Sequence, residues 1–210
     1  MELIKVVLSY LLGSIVGGLV VGRLRGGVDI RQLGSGNAGG TNALRTQGKL
    51  FAFWVMLIDI GKGWLATRVI APFHATQQVG WIAVACGIAV IVGHVYPLWY
   101  GFRGGKGVAT LVGAALGLDA WLLIPMLLTW LLVVMLFGFV GLGSMLGALA
   151  LAVTGAVGNW EPRGPLIAFG VLTALLVAFT HRSNIARMMA GTEPRARRLW
   201  LFGRRVSGGG

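Results

Sequence analysis

From Leu3 to Thr180 the chain is a succession of apolar runs broken by short polar stretches. An α-helix needs ~20 apolar residues, within a range of about 17–25, to cross a bilayer. Leu3–Gly22, Leu50–Ala71, Val79–Val95, Trp121–Gly138 and Pro165–Thr180 read as such runs. Val108–Leu118, stopped by Asp119, and the glycine-rich Gly143–Gly158 are shorter. Only helices and closed barrels satisfy their own backbone in lipid, so the pattern predicts an all-α, polytopic transmembrane bundle. Counting every run gives about seven spans and merging the short ones about five. Seven is preferred, because five leaves a long apolar segment outside the membrane. Charged residues are 11% of the 210, against roughly 25% in a soluble domain, which excludes a soluble protein. The length suits one membrane-embedded domain, expected over 1–206, with 207–210 as a flexible tail.

Charge orients the bundle. Arg23, Arg25, Arg31, Arg45 and Lys49 fall in one connection opposed only by Asp29, and 96–110 is basic too. The turn at 72–78 carries no Lys or Arg, whereas the C-terminal segment carries Arg182, Arg187, Arg195, Arg197, Arg198, Arg204 and Arg205. Cytoplasmic connections hold the excess of basic residues. The N-terminus and 72–78 are therefore expected outside, and 23–49, 96–110 and the C-terminus in the cytoplasm. Leu3–Gly22 is long enough to span and has no clear cleavage site, so it reads as the first helix rather than a leader. The net charge of +12 points, in this setting, to lipid headgroups and anionic substrates and not to nucleic acid. The lone Cys86 lies in an apolar run and reads as a small buried hydrophobe.

The polar stretches carry the chemistry. In the first, Gly34 to Arg45, four glycines free the backbone so that successive N–H groups can converge on an anion. Ser35, Asn37, Thr41 and Asn42 add short donors, and Arg45 a fork that matches phosphate. A plain loop between two helices explains the same composition. Gly34-x-Gly36-x-x-Gly39 matches a dinucleotide fingerprint literally, but no βαβ context surrounds it. In the second stretch, Gly93-His94 and Pro97 precede Arg103-Gly104-Gly105-Lys106-Gly107, just before a helix. That suits a phosphate at a helix N-terminus with Lys106 as its point charge. The spacing is not that of a P-loop. The third stretch, His181-Arg182-Ser183-Asn184 to Arg187, Gly191 and Glu193, offers a base or donor at His181 beside Arg182 and Asn184. Ser144 is expected at the cytoplasmic turn around 138–143, on the same side as the three stretches. These segments bring donors and cations to one membrane face, and the chain has only six acids to neutralise eighteen bases, which calls for a polyanion at the membrane surface, a phosphate-bearing lipid precursor.

Asp59 and Lys62 share a helical face near the middle of the second span. Charges at that depth face protein or water; a self-neutralising structural pair is the reading preferred to a functional one. Gly13-x-x-x-Gly17 and Gly143-x-x-x-Gly147 have the spacing of close helix packing. Three His, one Cys and six acids show no metal-ligand spacing, so no metal and no cofactor is expected.

Three signatures occur in order: Gly34-Ser-Gly-Asn-x-Gly-x-Thr-Asn with Arg45; Gly93-His with Pro97 and Phe102-Arg-Gly-Gly-Lys-Gly-Val-Ala-Thr110; and His181-Arg-x-Asn-Ile with Arg187, Gly191 and Glu193. Over nearly its whole length the chain resembles the bacterial integral-membrane glycerol-3-phosphate acyltransferases that use acyl-phosphate, the PlsY family. Ala38 stands where the family usually has proline and Gly40 where it usually has alanine, so the first loop is expected to be slightly looser. The resemblance implies a seven-helix inner-membrane enzyme that moves a fatty acyl group from acyl-phosphate to the 1-hydroxyl of glycerol 3-phosphate. Lysophosphatidic acid and phosphate would be the products, without metal or acyl-CoA. Catalysis would fall to Ser35, Arg45, Lys106, Ser144, His181 and Asn184. Phosphate binding would fall to Gly36, Asn37, Gly39, Thr41, Asn42, Arg103, Gly104, Gly105, Gly107, Arg182 and Arg187. The resemblance also admits the soluble enzyme that makes acyl-phosphate as a partner. Two rivals are an organic-phosphate transporter, which would bind near the midplane on repeats, and a structural membrane scaffold, which has no use for three phosphate-like loops.

Overall fold

The computed structural model describes residues 1–72, 79–158 and 163–205. The turn expected at 72–78 lies, after Pro72, outside the described residues, as do 159–162 of the following connector and the tail at 207–210. The described residues are helical with no strand, and the protein is an all-α, multi-pass membrane protein. Five helical stretches are long and apolar enough to cross a membrane, or six if one bent pair counts as a single span. The chain falls into two compact units, Met1–Ala120 and Trp121–Gly210.

The first unit holds α1 (Glu2–Gly13), α2 (Gly17–Leu24), α3 (Gly40–Gln47), α4 (Lys49–Leu65), α5 (Val79–Val95) and α6 (Val108–Leu118). A π-helical turn, Ala66–Ile70, prolongs α4. The run expected as one straight span over Leu3–Gly22 is instead broken into α1 and α2, bent by 47°. No proline causes this. Val16 is extended (φ −87°, ψ 115°) and caps α2, and the β-branched pair Ile15 and Val16 sits where helix is least favoured. α2 is short because it serves as a floor. Cβ atoms at Gly18 and Gly22 would collide with the carbonyls of Ala38 and Val28, so the glycine face of α2 lets the following connection lie directly on it. Ala38, expected to loosen that connection, is fully buried against Val16 and Leu19. Close crossings recur elsewhere. Gly13 faces the backbone of Val90 and Gly93 that of Tyr10, so α1 and α5 touch backbone to backbone. Gly63 and Gly113 do the same for α4 and α6. In lipid such contact replaces the hydrophobic drive that water would supply.

The second unit holds α7 (Leu123–Phe137), α8 (Val140–Val157), α9 (Arg163–Thr180) and α10 (Arg182–Met189). α7 ends at Gly138 (φ 81°), and extended Phe139 caps α8. The run expected as a short helix from Gly143 is thus an 18-residue helix beginning at Val140. Gly143 and Gly147 face Trp130 and Met126 of α7, and Gly170 of α9 faces Ala152 of α8. Leu128 on α7 and Leu175 on α9 stay 61% and 63% exposed, apolar side chains whose natural surroundings are acyl chains.

Candidate active site

The first polar stretch is a loop only up to Gly39, since α3 already carries Thr41, Asn42 and Arg45. Asn42 organises it. Its buried amide accepts from the Ser35 N–H at 2.9 Å and donates to the carbonyls of Ile30, Leu33 and Asn37 at 2.9, 3.0 and 2.9 Å. Gly34 (φ 58°) and Gly36 (φ 73°) supply the left-handed turns this wrapping requires. The Gly36 N–H donates to the Leu33 carbonyl, and the Gly39 N–H to Asn37 Oδ1 at 2.8 Å. The N–H groups of Ser35, Gly36 and Gly39, expected to converge on an anion, donate here to the loop's own acceptors. Asn42, expected on phosphate, has its amide committed to the loop, and Asn37 Oδ1 closes a local turn. The groups left facing outward are side chains, with Ser35, Thr41 and Arg45 all exposed.

The second stretch folds over the end of α5. Gly101 and Phe102 are left-handed (φ 64° and 59°), an uncommon state for a residue with a bulky side chain. The N–H groups of Gly104 and Gly105 donate to the carbonyls of Val95 and His94, both at 3.1 Å. The N–H groups of these two glycines, expected to serve an anion, donate here to the end of α5, which both glycines approach closely. Gly107 (φ 84°) turns the chain into α6. Lys106 is half-buried and Arg103 exposed.

Arg31 joins the two stretches. Its Nη1 donates to the carbonyls of Arg103 at 2.8 Å and Tyr100 at 3.2 Å, while Nε and Nη2 form a fork on Asp29, at 2.9 and 2.8 Å. The Arg31 guanidinium beside Asp29 holds that carboxyl below the usual carboxylate range, and Asp29 in turn raises the guanidinium. Nothing in the sequence sets Arg31 apart from its basic neighbours except the acid two residues before it.

Asp59 and Lys62 form a buried ion pair at 2.9 Å on α4 and fill the α1–α2 break. Lys62 Nζ donates to the carbonyls of Gly13 (3.0 Å) and Ile15 (2.8 Å), and Asp59 Oδ1 accepts from the Gly17 N–H at 3.0 Å. The cation meets the C-terminal end of one helix and the anion the N-terminal end of the next, as their dipoles favour.

In the second unit, Ser144 does not sit in the turn expected for it. It lies on α8, buried, with its hydroxyl donating to the Val140 carbonyl at 3.0 Å. His181 is buried at the start of α10. Its Nδ1 lies 2.8 Å from the Val177 carbonyl. A carbonyl only accepts, so Nδ1 carries the proton, and in the neutral ring Nε2 is the acceptor. Asn184 and Arg187 share one carboxylate, Glu193: Nδ2 of Asn184 reaches Oε1 at 2.6 Å and Nε of Arg187 reaches Oε2 at 2.7 Å. Gly191 (φ 70°) turns the chain back so that Glu193 can do this. A Cβ at Gly141 would press on Asn184, which seats α10 on the first turn of α8. Arg182 is exposed and stacked over Phe179, 4.5 Å from the ring centre. The structure thus brings the first two stretches together through Arg31, and Asn184 onto α8. Arg31, the clamp role of Glu193 and the contacts of His94 were not read from sequence.

A family model described as glycerol-3-phosphate acyltransferase matches residues 3–191. The chain is 41% identical over 195 residues to a glycerol-3-phosphate acyltransferase of Synechococcus sp. (strain CC9902), covering 92% of this chain and 94% of that protein. It is 40% identical over 207 residues to one of Zymomonas mobilis, covering 93% and 97%. Among solved structures it is similar to PlsY (YgiH), an integral membrane glycerol 3-phosphate acyltransferase, in its glycerol 3-phosphate form. That match has a TM-score of 0.84 and 32% identity, covering 92% of this chain and 94% of the other. The lysophosphatidic acid form of the same protein matches with a TM-score of 0.81.

Proposed function

The chain belongs to the glycerol-3-phosphate acyltransferase family, and from that membership we propose that it transfers a fatty acyl group from acyl-phosphate to the 1-hydroxyl of glycerol 3-phosphate at the cytoplasmic face of the inner membrane. The products in this reading are lysophosphatidic acid and inorganic phosphate. The observation that carries it is the pair of glycine-rich stretches stitched by Arg31, which hold Ser35, Thr41, Arg45 and Lys106 on one scaffold.

An acyl-phosphate is a mixed anhydride with a good leaving group, so positioning and charge neutralisation are the main requirements. The hydroxyl oxygen attacks the acyl carbonyl carbon, the bond from that carbon to the phosphate oxygen breaks, and phosphate leaves with the electron pair. Arg45 and Lys106 offset the charge on the phosphates, helped by Arg182. Arg187 is already paired with Glu193, and we assign it with Asn184 to holding the third stretch in shape. His181, oriented by the Val177 carbonyl, is a hydrogen-bonding and orienting group for the substrate and takes no proton from the attacking hydroxyl. The proton passes to a substrate phosphate, whose second pKa of ~6 suits it as acceptor. Ser144 donates to its own helix, which gives no support for an acyl-enzyme. The soluble source of acyl-phosphate is the partner this reading favours.

A transporter would keep the α1–α2 break open as a binding site. Here the Gly13 and Ile15 carbonyls and the Gly17 N–H are already occupied by Lys62 and Asp59. The deciding assay uses purified protein in lipid vesicles. Phosphate release from acyl-phosphate should require glycerol 3-phosphate, and acyl-CoA should not replace the donor. Release without glycerol 3-phosphate, or transfer from acyl-CoA alone, removes the proposal.

A further inference from the structure

The buried His94 lies at the end of α5, directly beneath the loop that carries Lys106. The loop rests on it in two ways. The Gly105 N–H donates to the His94 carbonyl at 3.1 Å, and a Cβ at Gly104 would strike that same carbonyl. A Cβ at Gly105 would strike the imidazole itself, at Nε2. Both glycines are therefore required by the closeness of one residue. On its other side the ring is held by α4: Nδ1 lies 3.3 Å from Asp59 Oδ1 and 2.8 Å from Lys62 Nζ. Asp59 and Lys62 are fixed in turn by the backbone of the α1–α2 break. Closing that break needs only the ion pair, so the contact to His94 is a third connection, and it leads to the Lys106 loop.

We infer that His94 is a positioning residue: the Asp59–Lys62–His94 cluster carries the rigidity of α4 into Gly104–Gly107 and so sets where the Lys106 ammonium meets the phosphate of glycerol 3-phosphate. The inference rests on the assignment of Lys106 to phosphate binding. It deepens that assignment by naming what holds the loop. A displaced loop weakens binding in ground and transition states alike, which raises KM and leaves kcat in place.

The test compares His94→Leu, which fills the space under Gly105 but has no tie to Asp59 and Lys62, with His94→Asn, whose amide reaches the Nδ1 position. His94→Leu should raise KM for glycerol 3-phosphate about tenfold, as expected for a modest misplacement of a binding group. Its kcat and its KM for acyl-phosphate should be retained, and His94→Asn should recover part of the loss. Hydrogen exchange gives a readout independent of activity. Amides of 104–107 should exchange faster in His94→Leu while those of α4 and α6 stay protected. Unchanged KM with unchanged exchange at 104–107 overturns the inference, as does a fall in kcat at constant KM. Should His94→Leu not fold, the same pair of measurements on His94→Asn decides, with a smaller rise expected in both. If Lys106→Ala keeps a normal KM for glycerol 3-phosphate and a normal kcat, the phosphate assignment fails by itself, whatever the exchange data say of His94.

Discussion

Arg31 donates to the backbone carbonyl of Arg103 at 2.8 Å across 72 residues of sequence, and this contact makes one scaffold of two loops. Arg31→Lys keeps the charge but cannot hold Asp29 with one edge of a planar fork while reaching Tyr100 and Arg103 with another. Activity should fall about tenfold in Arg31→Lys and further in Arg31→Ala, with the fold retained by size-exclusion chromatography. Because Arg31 depresses the Asp29 pKa, the pair contributes stability above the unfolded Asp value of ~3.9. That contribution is lost as pH falls through the lower folded value. Activity should therefore show no Asp29-dependent change between pH 8 and pH 5, about a unit above that value. An Asp29→Asn variant whose pH profile differed from wild type in that range would contradict this.

Asn42→Ala removes the partner of the Ser35 N–H and of three carbonyls; the bond to the Ile30 carbonyl is buried, and leaving that group unsatisfied costs about 1–3 kcal/mol. The protein should unfold at a lower temperature and lose activity as a consequence. Asn42→Asp should do no better, since a carboxylate faces three carbonyl oxygens. A normal melting temperature combined with a raised KM for glycerol 3-phosphate would return Asn42 to the phosphate.

Lys106→Ala and Arg45→Ala should each lose most activity, of order 10²-fold or more, as for other preorganised electrostatic groups. Lys106→Arg should rescue only in part, because a planar fork does not replace a compact ammonium. Steady-state kinetics on both substrates decides; a near-normal kcat/KM for both substrates in Lys106→Ala takes that residue out of the site.

His181→Gln should retain more activity than His181→Ala, because an amide can still hydrogen-bond to the substrate and orient it. His181→Asn should also exceed Ala by keeping the donation to Val177. If all three were equally inactive and the wild-type rate followed one enzyme group titrating near neutrality, His181 would be the general base and the proton would not go to phosphate.

Topology is open to labelling. A membrane-impermeant thiol reagent applied from outside should modify a cysteine at position 76 and not one at the exposed position 32. The opposite pattern would place the proposed site on the wrong side of the membrane.

Much of the helix framework was legible in the sequence. Val79–Val95 and Val108–Leu118 form helices at the bounds their apolar runs predict, because Pro97 and Asp119 punctuate them. The α1–α2 bend was not legible, since no proline or glycine marks residues 14–16 and the break depends on charges from α4. The residue types of the loops were readable but the direction of their hydrogen bonds was not. Glycine and asparagine serve an anion nest and a self-satisfied loop equally well, and only the position of Asn42 on α3 distinguishes them. Arg31 looked like one cytoplasmic arginine among several until the chain brought Tyr100 and Arg103 beside it. Ser144 was misplaced because a two-residue turn at Gly138 and Phe139 begins α8 earlier than the apolar run suggests.

The ion pair that fills the α1–α2 break also bears on how the chain enters the membrane. Asp and Lys each disfavour insertion by about 3 kcal/mol at a helix centre, so α4 carries two such penalties when it first leaves the ribosome. The backbone groups that relieve them, at Gly13, Ile15 and Gly17, belong to α1, α2 and the break between them, all synthesised earlier. The order of residues along the chain is thus also an order of assembly: the earlier segment waits as a template, and α4 becomes a stable span by docking to it.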